Sequence, residues 1–113
     1  MTMGCIFCRI IKGDIPCTKV YEDELVFAFE DIQPMSRVHT LIVPKAHIGN
    51  LNSEIDKDLW FAIVKAAQEI VKIKGIAKSG YRLAINSGPD GTQIVPHLHV
   101  HILGGQMLDA KLG

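Results

Sequence analysis

Apolar residues along the chain form short runs between polar and turn-forming residues, and two of these runs have helical spacing. In residues 5–12 they recur at the i, i+1, i+4, i+5 positions of a short amphipathic helix. In residues 56–74 they recur every three or four positions, with Ser53 or Asp56 as candidate N-caps and Gly75 as the stop signal. The pattern therefore predicts one short and one long helix.

The other apolar runs are short and rich in β-branched and aromatic residues, which is typical of strands. They predict five strands, over residues 19–22, 26–30, 40–44, 81–86 and 98–103. The first two strands are close enough to form a hairpin. This order of elements predicts an α+β fold in one domain over residues 1–113, an antiparallel five-stranded sheet with one long and one short helix.

Charge and hydropathy exclude two classes of partner. Twelve basic and twelve acidic residues give a formal net charge of zero, so there is no overall attraction to a nucleic-acid backbone or an anionic membrane. No apolar run approaches the roughly 20 residues that cross a bilayer, and the N-terminal segment lacks the apolar core of a signal peptide. We expect a cytoplasmic protein, with the nucleus as the alternative, that binds neither nucleic acid nor membranes.

Three of the five histidines alternate along the chain at His97, His99 and His101, which lie in the predicted strand of residues 98–103 and immediately before it. Alternate residues of a strand share a face at a spacing of roughly 6.5 Å, so the imidazoles are expected to form a row. Such a row is costly to bury without polar partners. It fits either a transition-metal site or a nucleophile flanked by acid and base groups.

The three cysteines are odd in number and do not make a disulfide framework. In a reducing compartment, the Cys5-x-x-Cys8 spacing indicates half of a metal site or a redox pair. Two small buried thiols are the structural alternative. Cys17 is expected to be inert.

The segment His97-Leu98-His99-Val100-His101-Ile102-Leu103 resembles the signature of the histidine triad (HIT) family, in which histidines alternate with apolar residues. Other segments resemble its Hint-like, nucleotide-binding branch, in order and at the expected spacings: residues 6–11, 15–16, 21–23, 28–32, 39–45, 80–82 and 104–105. The resemblance covers essentially the whole chain and implies a single HIT domain over residues 1–113.

The resemblance assigns roles to four histidines. His99 matches the family nucleophile, which attacks the α-phosphorus of a nucleotide and is transiently nucleotidylated. His97 and His101 match the flanking histidines, and His39 matches a fourth histidine of the site. An unprotonated imidazole nitrogen can attack phosphorus, while neighbouring donors serve the developing negative charge and the leaving amine.

The resemblance also implies a nucleotide site. Asp31 matches the carboxylate that accepts hydrogen bonds from the ribose hydroxyls. The positions that match apolar residues around the base, with ordinary core packing as the alternative, are Ile6, Phe7, Ile10, Ile15, Phe29 and Ile32. The loop expected near the phosphate contains Asn86, Thr92, Gln93, Ile94 and Val95. Thr92 replaces a common glycine and Ile94 a small polar or acidic residue, which leaves turnover rate and leaving-group preference open.

Cys5 and Cys8 resemble the zinc half-site of some relatives and of galactose-1-phosphate uridylyltransferases, which two histidines complete. His47 and His97 are at the matching positions. The resemblance thus implies a structural zinc ion on Cys5, Cys8, His47 and His97. Such a site would fix the N-terminal segment to the sheet and keep the side chain of His97 out of catalysis. No organic cofactor is implied.

The implied function is that of an enzyme that binds a purine nucleoside monophosphate or its phosphoramidate. It is expected to be a hydrolase or nucleotidyl transferase, in particular a nucleoside phosphoramidase that cleaves the P–N bond of AMP- or GMP-amine conjugates through a nucleotidyl-histidine. The changes at Thr92 and Ile94 support an alternative, a nucleotide-binding regulatory module with vestigial catalysis. A metal bound by the three triad histidines is a third possibility. The lack of a carboxylate nearby in the sequence argues against it.

The expected assembly is a homodimer. Relatives pair edge strands and long helices, so that the sheet continues across the dimer. Hydrophobic residues make up 48% of this chain, which is high for a small domain that must expose much of its surface.

Overall fold

Five antiparallel strands and two helices make up the fold of residues 4–111. The computed structural model describes these residues; residues 1–3 and 112–113 of the predicted domain lie outside them. The elements in chain order are α1 (Ile6–Lys12), β1 (Lys19–Glu22), β2 (Val26–Glu30), β3 (Val38–Pro44), α2 (Lys57–Ile73), β4 (Tyr81–Ile85) and β5 (Val100–Gly104). The predicted α+β architecture is confirmed.

The sheet has the order β1-β2-β3-β5-β4, and each strand is antiparallel to its neighbours. One face packs against the long helix α2 through residues such as Val26, Ile42 and Ile102. The opposite face carries Phe29 and Leu41, which pack with the short helix α1. A fully buried aliphatic side chain contributes about 1.5–3 kcal/mol, so these two cores fix both helices on the sheet.

The two helices end where their sequences predict. The backbone N–H of Cys8 donates to Sγ of Cys5, the N-cap of α1. Gly13 ends this helix in the left-handed conformation with φ of 90°, which glycine adopts without a steric penalty. Asp56 is the N-cap of α2 by position, although its side chain makes no capping hydrogen bond. No helix within residues 4–111 is long and apolar enough to cross a membrane.

Two strand boundaries differ from the predictions. β5 begins at Val100 rather than at residue 98, because the backbone N–H of Leu98 donates to the carbonyl of Ile48 instead of a sheet neighbour. The predicted strand of residues 98–103 therefore started two residues too early, and of the three triad histidines only His101 lies in β5. β3 begins at Val38 rather than at residue 40, since Val38 pairs with the end of β5.

Candidate active site

The ring of His99 is held in one orientation by contacts on three sides. Its Nδ1 lies 2.7 Å from the backbone carbonyl oxygen of His97. The rings of Phe7 and His101 contact it edge-on, at centroid distances of 5.0 Å and 4.9 Å. A carbonyl oxygen only accepts hydrogen bonds, so Nδ1 of His99 carries a proton and donates it. In the neutral ring, Nε2 is therefore unprotonated and has a lone pair that can attack an electrophile.

His39 and His101 are joined by a ring-to-ring hydrogen bond, 2.9 Å long between Nε2 of His39 and Nδ1 of His101. The backbone N–H of Met35 donates to Nδ1 of His39 at 3.0 Å. This leaves Nε2 as the protonated nitrogen of a neutral His39 ring. His39 therefore donates to His101, and the proton of His101 is on its own Nε2.

Burial favours the neutral form of both of these rings. It lowers the pKa of His39 below its ordinary value, although the charges of Asp31 and Glu30 oppose the shift. Burial, followed by the neighbouring His99 and His39, lowers the pKa of His101 to about 4. Near pH 7, His101 is thus a neutral N–H donor and not an imidazolium.

Asp31 brings a carboxylate to this histidine pair. Its Oδ1 accepts a hydrogen bond from the backbone N–H of Gln33 at 2.9 Å. Its Oδ2 lies 3.4 Å from Nε2 of His39, and its side chain is 23% exposed. The carboxylate therefore has lone pairs left to accept hydrogen bonds from a ligand.

Asp31, His39 and His101 place three potential metal ligands within 4.8 Å of one another. The lack of a carboxylate nearby in sequence is therefore no argument against a metal at the triad, because the fold supplies one. However, the two ring nitrogens face each other at 2.9 Å, with ring centroids 5.2 Å apart. A proton fits this contact, whereas a metal needs both lone pairs to converge on it. The geometry favours the hydrogen bond.

The apolar residues expected around a base divide into a buried and an exposed group. The buried ones, which pack between α1 and the sheet, are Phe7, Ile10 and Phe29, with Ile15 partly buried beside them. The exposed ones are Ile6 and Ile32, at 45% and 89% of their surface, and Ile94 of the loop expected near the phosphate is 90% exposed. Ile6, Ile94 and Val95 line a cavity of about 310 Å³, at the lower end of the range for ligand pockets.

Two polar side chains expected near the phosphate make hydrogen bonds to backbone carbonyls within and beside the loop between β4 and β5. Nδ2 of Asn86 donates to the carbonyl of Gly91 at 2.8 Å. Nε2 of Gln93 donates to two backbone carbonyls, at 2.8 Å and 3.1 Å. A Cβ atom on Gly91 would lie 2.5 Å from the carbonyl oxygen of Ser87, so the tight loop requires glycine there. In this structure, Asn86 and Gln93 shape the loop.

Thr92 occupies a backbone conformation that favours glycine. Its φ of 61° is in the left-handed region, which costs a residue with a side chain about 1–2 kcal/mol. A glycine at this position would avoid that cost. The hydroxyl of Thr92 donates to the carbonyl of Gly91 at 2.6 Å, so the threonine also satisfies a loop carbonyl.

Cys5, Cys8, His47 and His97 come together as the sequence predicts, with all four ligand atoms within 4.8 Å of one another. Nδ1 of His97 is 3.3 Å from Sγ of Cys5 and 3.5 Å from Sγ of Cys8. Nδ1 of His47 is 3.3 Å from Sγ of Cys8. A tetrahedron with zinc–ligand bonds of about 2.1–2.3 Å has edges of about 3.5 Å, which these distances match.

The tautomer of His97 also fits a metal ligand. Its Nε2 donates to the backbone carbonyl of Pro44 at 2.9 Å, which leaves the nitrogen that faces the thiols, Nδ1, unprotonated. Burial lowers the pKa of His97 and so favours the neutral ring. The residues present therefore fit a closed Cys2His2 zinc site. The ring of His97 belongs to this cluster, whereas its backbone carbonyl contacts His99.

Sequence reasoning missed three backbone groups that set the tautomers of these rings. They are the carbonyls of Pro44 and His97 and the N–H of Met35. Nearly every residue has both a backbone carbonyl and an N–H, so no motif marks the ones that matter. Only the tertiary structure shows which of them face a histidine.

Comparison with known proteins shows similarity along most of the chain. Residues 12–108 match a family model described as HIT domain. A 14 kDa zinc-binding protein of Zea mays is 43% identical over 108 residues, which are 92% of this chain and 84% of the relative. Adenylylsulfatase HINT1 of Arabidopsis thaliana is 40% identical over 108 residues, which are 92% of this chain and 73% of the relative.

A solved structure, of a HIT family hydrolase from Clostridium thermocellum, is similar with a TM-score of 0.94 and 43% sequence identity, and the match covers 99% of both chains. Similarity of this extent in sequence and in fold confirms the expected family: the chain belongs to the HIT domain family.

Proposed function

We propose that the chain is a nucleoside phosphoramidase, a hydrolase that cleaves the P–N bond of a purine nucleoside phosphoramidate with His99 as nucleophile. The observation that carries the proposal is the 2.7 Å hydrogen bond from Nδ1 of His99 to the carbonyl of His97. It leaves Nε2 of the neutral ring with a free lone pair. The relative called a HIT family hydrolase supports the reaction class.

In the first step, the lone pair on Nε2 of His99 attacks the α-phosphorus and the P–N bond breaks. The electron pair of that bond goes to the leaving nitrogen, which takes up a proton from solvent water and departs as an amine. The nucleotide is then bonded to Nε2. Nδ1 of His99 still donates to the carbonyl of His97, which stabilises the positive charge of the substituted ring.

In the second step, water attacks phosphorus, the bond to Nε2 of His99 breaks, and its electron pair returns to the ring. Over both steps, water supplies a hydroxyl group to phosphorus and a proton to the amine. The products are a nucleoside monophosphate and a free amine. Neutral His101 assists by donating its Nε2–H to a phosphoryl oxygen on which charge develops.

The nucleotide itself is held by apolar and carboxylate contacts in this proposal. Asp31 accepts hydrogen bonds from the ribose hydroxyls, each contributing about 1.5–3 kcal/mol because the acceptor is charged. The base lies against the exposed side chains of Ile6 and Ile32, two of the apolar residues predicted to surround it. Apolar surroundings of this kind suit a purine ring without selecting strongly between adenine and guanine.

A structural zinc ion on Cys5, Cys8, His47 and His97 is part of the proposal. Its support is the tetrahedral fit of the four ligand atoms, together with a relative in maize that is named a zinc-binding protein. Four protein ligands fill the coordination sphere of zinc, so the ion would cross-link the chain without entering the reaction.

A second class of leaving group has support from one relative. The name adenylylsulfatase describes action on adenylyl sulfate, in which sulfate stands where the amine stands in a phosphoramidate. The same attack by His99 would serve, because only the departing group differs. Single-turnover rates with adenylyl sulfate and with AMP and GMP phosphoramidates, measured under identical conditions, rank the leaving groups and the bases.

Mixing excess protein with AMP phosphoramidate tests the proposed reaction. We expect the parent protein to release the amine in a single turnover. His99→Ala should bind AMP within about tenfold of the parent, or roughly 1.4 kcal/mol, and release none. Amine release by His99→Ala at the parental rate would contradict the proposal. Tight binding of AMP by a parent protein that releases no amine would instead support a regulatory nucleotide-binding module.

A further inference from the structure

Asp31 lies against a histidine of the site as well as facing solvent, and we propose that it couples ribose recognition to the donor strength of His101. The inference rests on the proposed function and extends it. A ribose bound to Asp31 raises the rate of reaction at phosphorus, and not only the affinity for the nucleotide. Asp31 and His39 are then positioning residues for the reaction.

A single proton, the one on Nε2 of His39, lies between two acceptors. Nδ1 of His101 is 2.9 Å away and Oδ2 of Asp31 is 3.4 Å away. Hydrogen bonds from N–H groups span about 2.7–3.2 Å. His101 therefore receives the hydrogen bond, while the Asp31 carboxylate pulls electrostatically on the same proton.

The surroundings of His39 strengthen the pull of the Asp31 carboxylate on this proton. The side chain of His39 is 2% exposed, so solvent screens its interactions weakly. The backbone N–H of Asp31 donates to the carbonyl of His39 at 3.0 Å, which fixes the distance between the two residues. The carboxylate raises the pKa of both His39 and His101 against the larger effect of burial. Both rings thus respond to the charge of Asp31.

Ribose would remove this competition. Hydroxyls that donate to Asp31 occupy its lone pairs and disperse its charge, so the pull on the His39 proton falls. The hydrogen bond from His39 to His101 then strengthens. A stronger hydrogen bond to Nδ1 of an imidazole polarises the ring and strengthens the bond that its Nε2–H donates. His101 therefore stabilises a charged phosphoryl oxygen better once ribose is bound.

Coupling differs measurably from simple ribose binding. If Asp31 only bound the sugar, a substrate without the diol would bind more weakly and react at the same rate when saturating. Coupling predicts that the saturating single-turnover rate also falls, on the order of tenfold, the equivalent of one hydrogen bond.

The test compares AMP phosphoramidate with its 2′,3′-dideoxy analogue at saturation. The rate ratio should be about tenfold in the parent. It should stay so in Asp58→Asn, a control that removes an exposed carboxylate on α2, and approach one in Asp31→Asn. His39→Leu keeps the Asp31 carboxylate but removes the hydrogen bond to His101. This variant should retain the affinity difference between the two substrates and lose the rate difference. It replaces Asp31→Asn in the test if Asp31→Asn does not fold.

Nitrogen-15 NMR of the histidine rings reports on the hydrogen bond to His101 without any reaction taking place. Saturating adenosine should shift the Nδ1 resonance of His101, and saturating 2′,3′-dideoxyadenosine should leave it as in the free protein. Equal resonances and equal saturating rates in the parent would overturn the coupling and leave the proposed function standing. Failure to bind either nucleoside would instead overturn the proposed function. In that case, the His101 resonance of the unliganded parent is compared with that of Asp31→Asn. An unchanged resonance would show that the charge of Asp31 does not influence His101, which would refute the coupling.

Discussion

Single histidines decide the chemistry of this protein through the nitrogen that carries the proton. His99 donates Nδ1–H to a carbonyl and so keeps its Nε2 lone pair. His97 donates Nε2–H to another carbonyl and so turns a lone pair toward two thiols. Two residues of one motif thus present opposite nitrogens, because different backbone carbonyls face them.

The half-buried His101 predicts a loss of stability in mild acid. Its pKa is about 4 in the folded chain, against an ordinary value of 6.5, so the unfolded chain binds a proton first as pH falls. Its contribution is therefore fully present above about pH 6.5 and is lost toward pH 4, about 2 kcal/mol of it by pH 5. Urea unfolding at pH 7 and pH 5 should show a larger loss in the parent than in His101→Asn. Because this variant keeps all four ligands of the proposed zinc site, any loss of metal in acid affects both proteins equally. Equal losses would contradict the prediction.

Ile94 is the residue whose replacement should speed the reaction. Its side chain is 90% exposed, so Ile94→Ser should leave the loop undisturbed. A serine hydroxyl there can donate to the phosphate or leaving group as charge moves in the transition state. We expect a higher single-turnover rate with little change in AMP affinity, and no such gain in the control Ile94→Val. An unchanged rate in a folded Ile94→Ser protein would show that Ile94 is no handicap.

Among the helices and strands, α1 depends most on its surroundings. Its seven residues are too few to form a stable helix alone. Cys5 is its N-cap, Cys8 lies in its first turn, and Phe7 packs against the ring of His99. Zinc removal, or the Cys5→Ser/Cys8→Ser double variant, should therefore lower Tm more than it lowers intrinsic AMP affinity. Elemental analysis should find one zinc per chain in the parent and in Cys17→Ser, and none in the double variant. A zinc-free parent, or zinc retained in the double variant, would refute this site.

The sequence predicted the regular elements well because their periodicities are strong. Helical spacing located both α1 and α2 to within a residue at each end. The start of β5 was not predictable, since an apolar alternation continues through Leu98 although its N–H pairs with the loop at Ile48. The backbone hydrogen bonds of Asn86 and Gln93 were not predictable for a similar reason, because the tertiary path of the chain decides which carbonyls a side-chain amide can reach.

The molecule as a whole leaves apolar side chains exposed on α2 and on its edge strand β4. They include Val64 of α2 and Leu83 of β4. We propose that a second copy covers these side chains and continues the sheet through β4. Light scattering at micromolar concentration should give about 25 kDa, twice the chain mass of 12.5 kDa. Leu83→Lys should shift the mass toward the monomer, whereas Leu25→Lys, at an exposed site outside the helices and strands, should not. A parent that scatters as a monomer would rule the dimer out.

The central claim, that Nε2 of His99 bonds to the nucleotide, is tested most directly by locating the adduct. The parent protein is mixed with AMP phosphoramidate and quenched in alkali or denaturant, because a phosphorus–nitrogen bond is labile in acid. Peptide mass spectrometry should then find one adenylyl group on His99, and none in His99→Ala. An adduct on His97, His101 or His39, or parental turnover by His99→Ala, would contradict the mechanism even though the family assignment would stand.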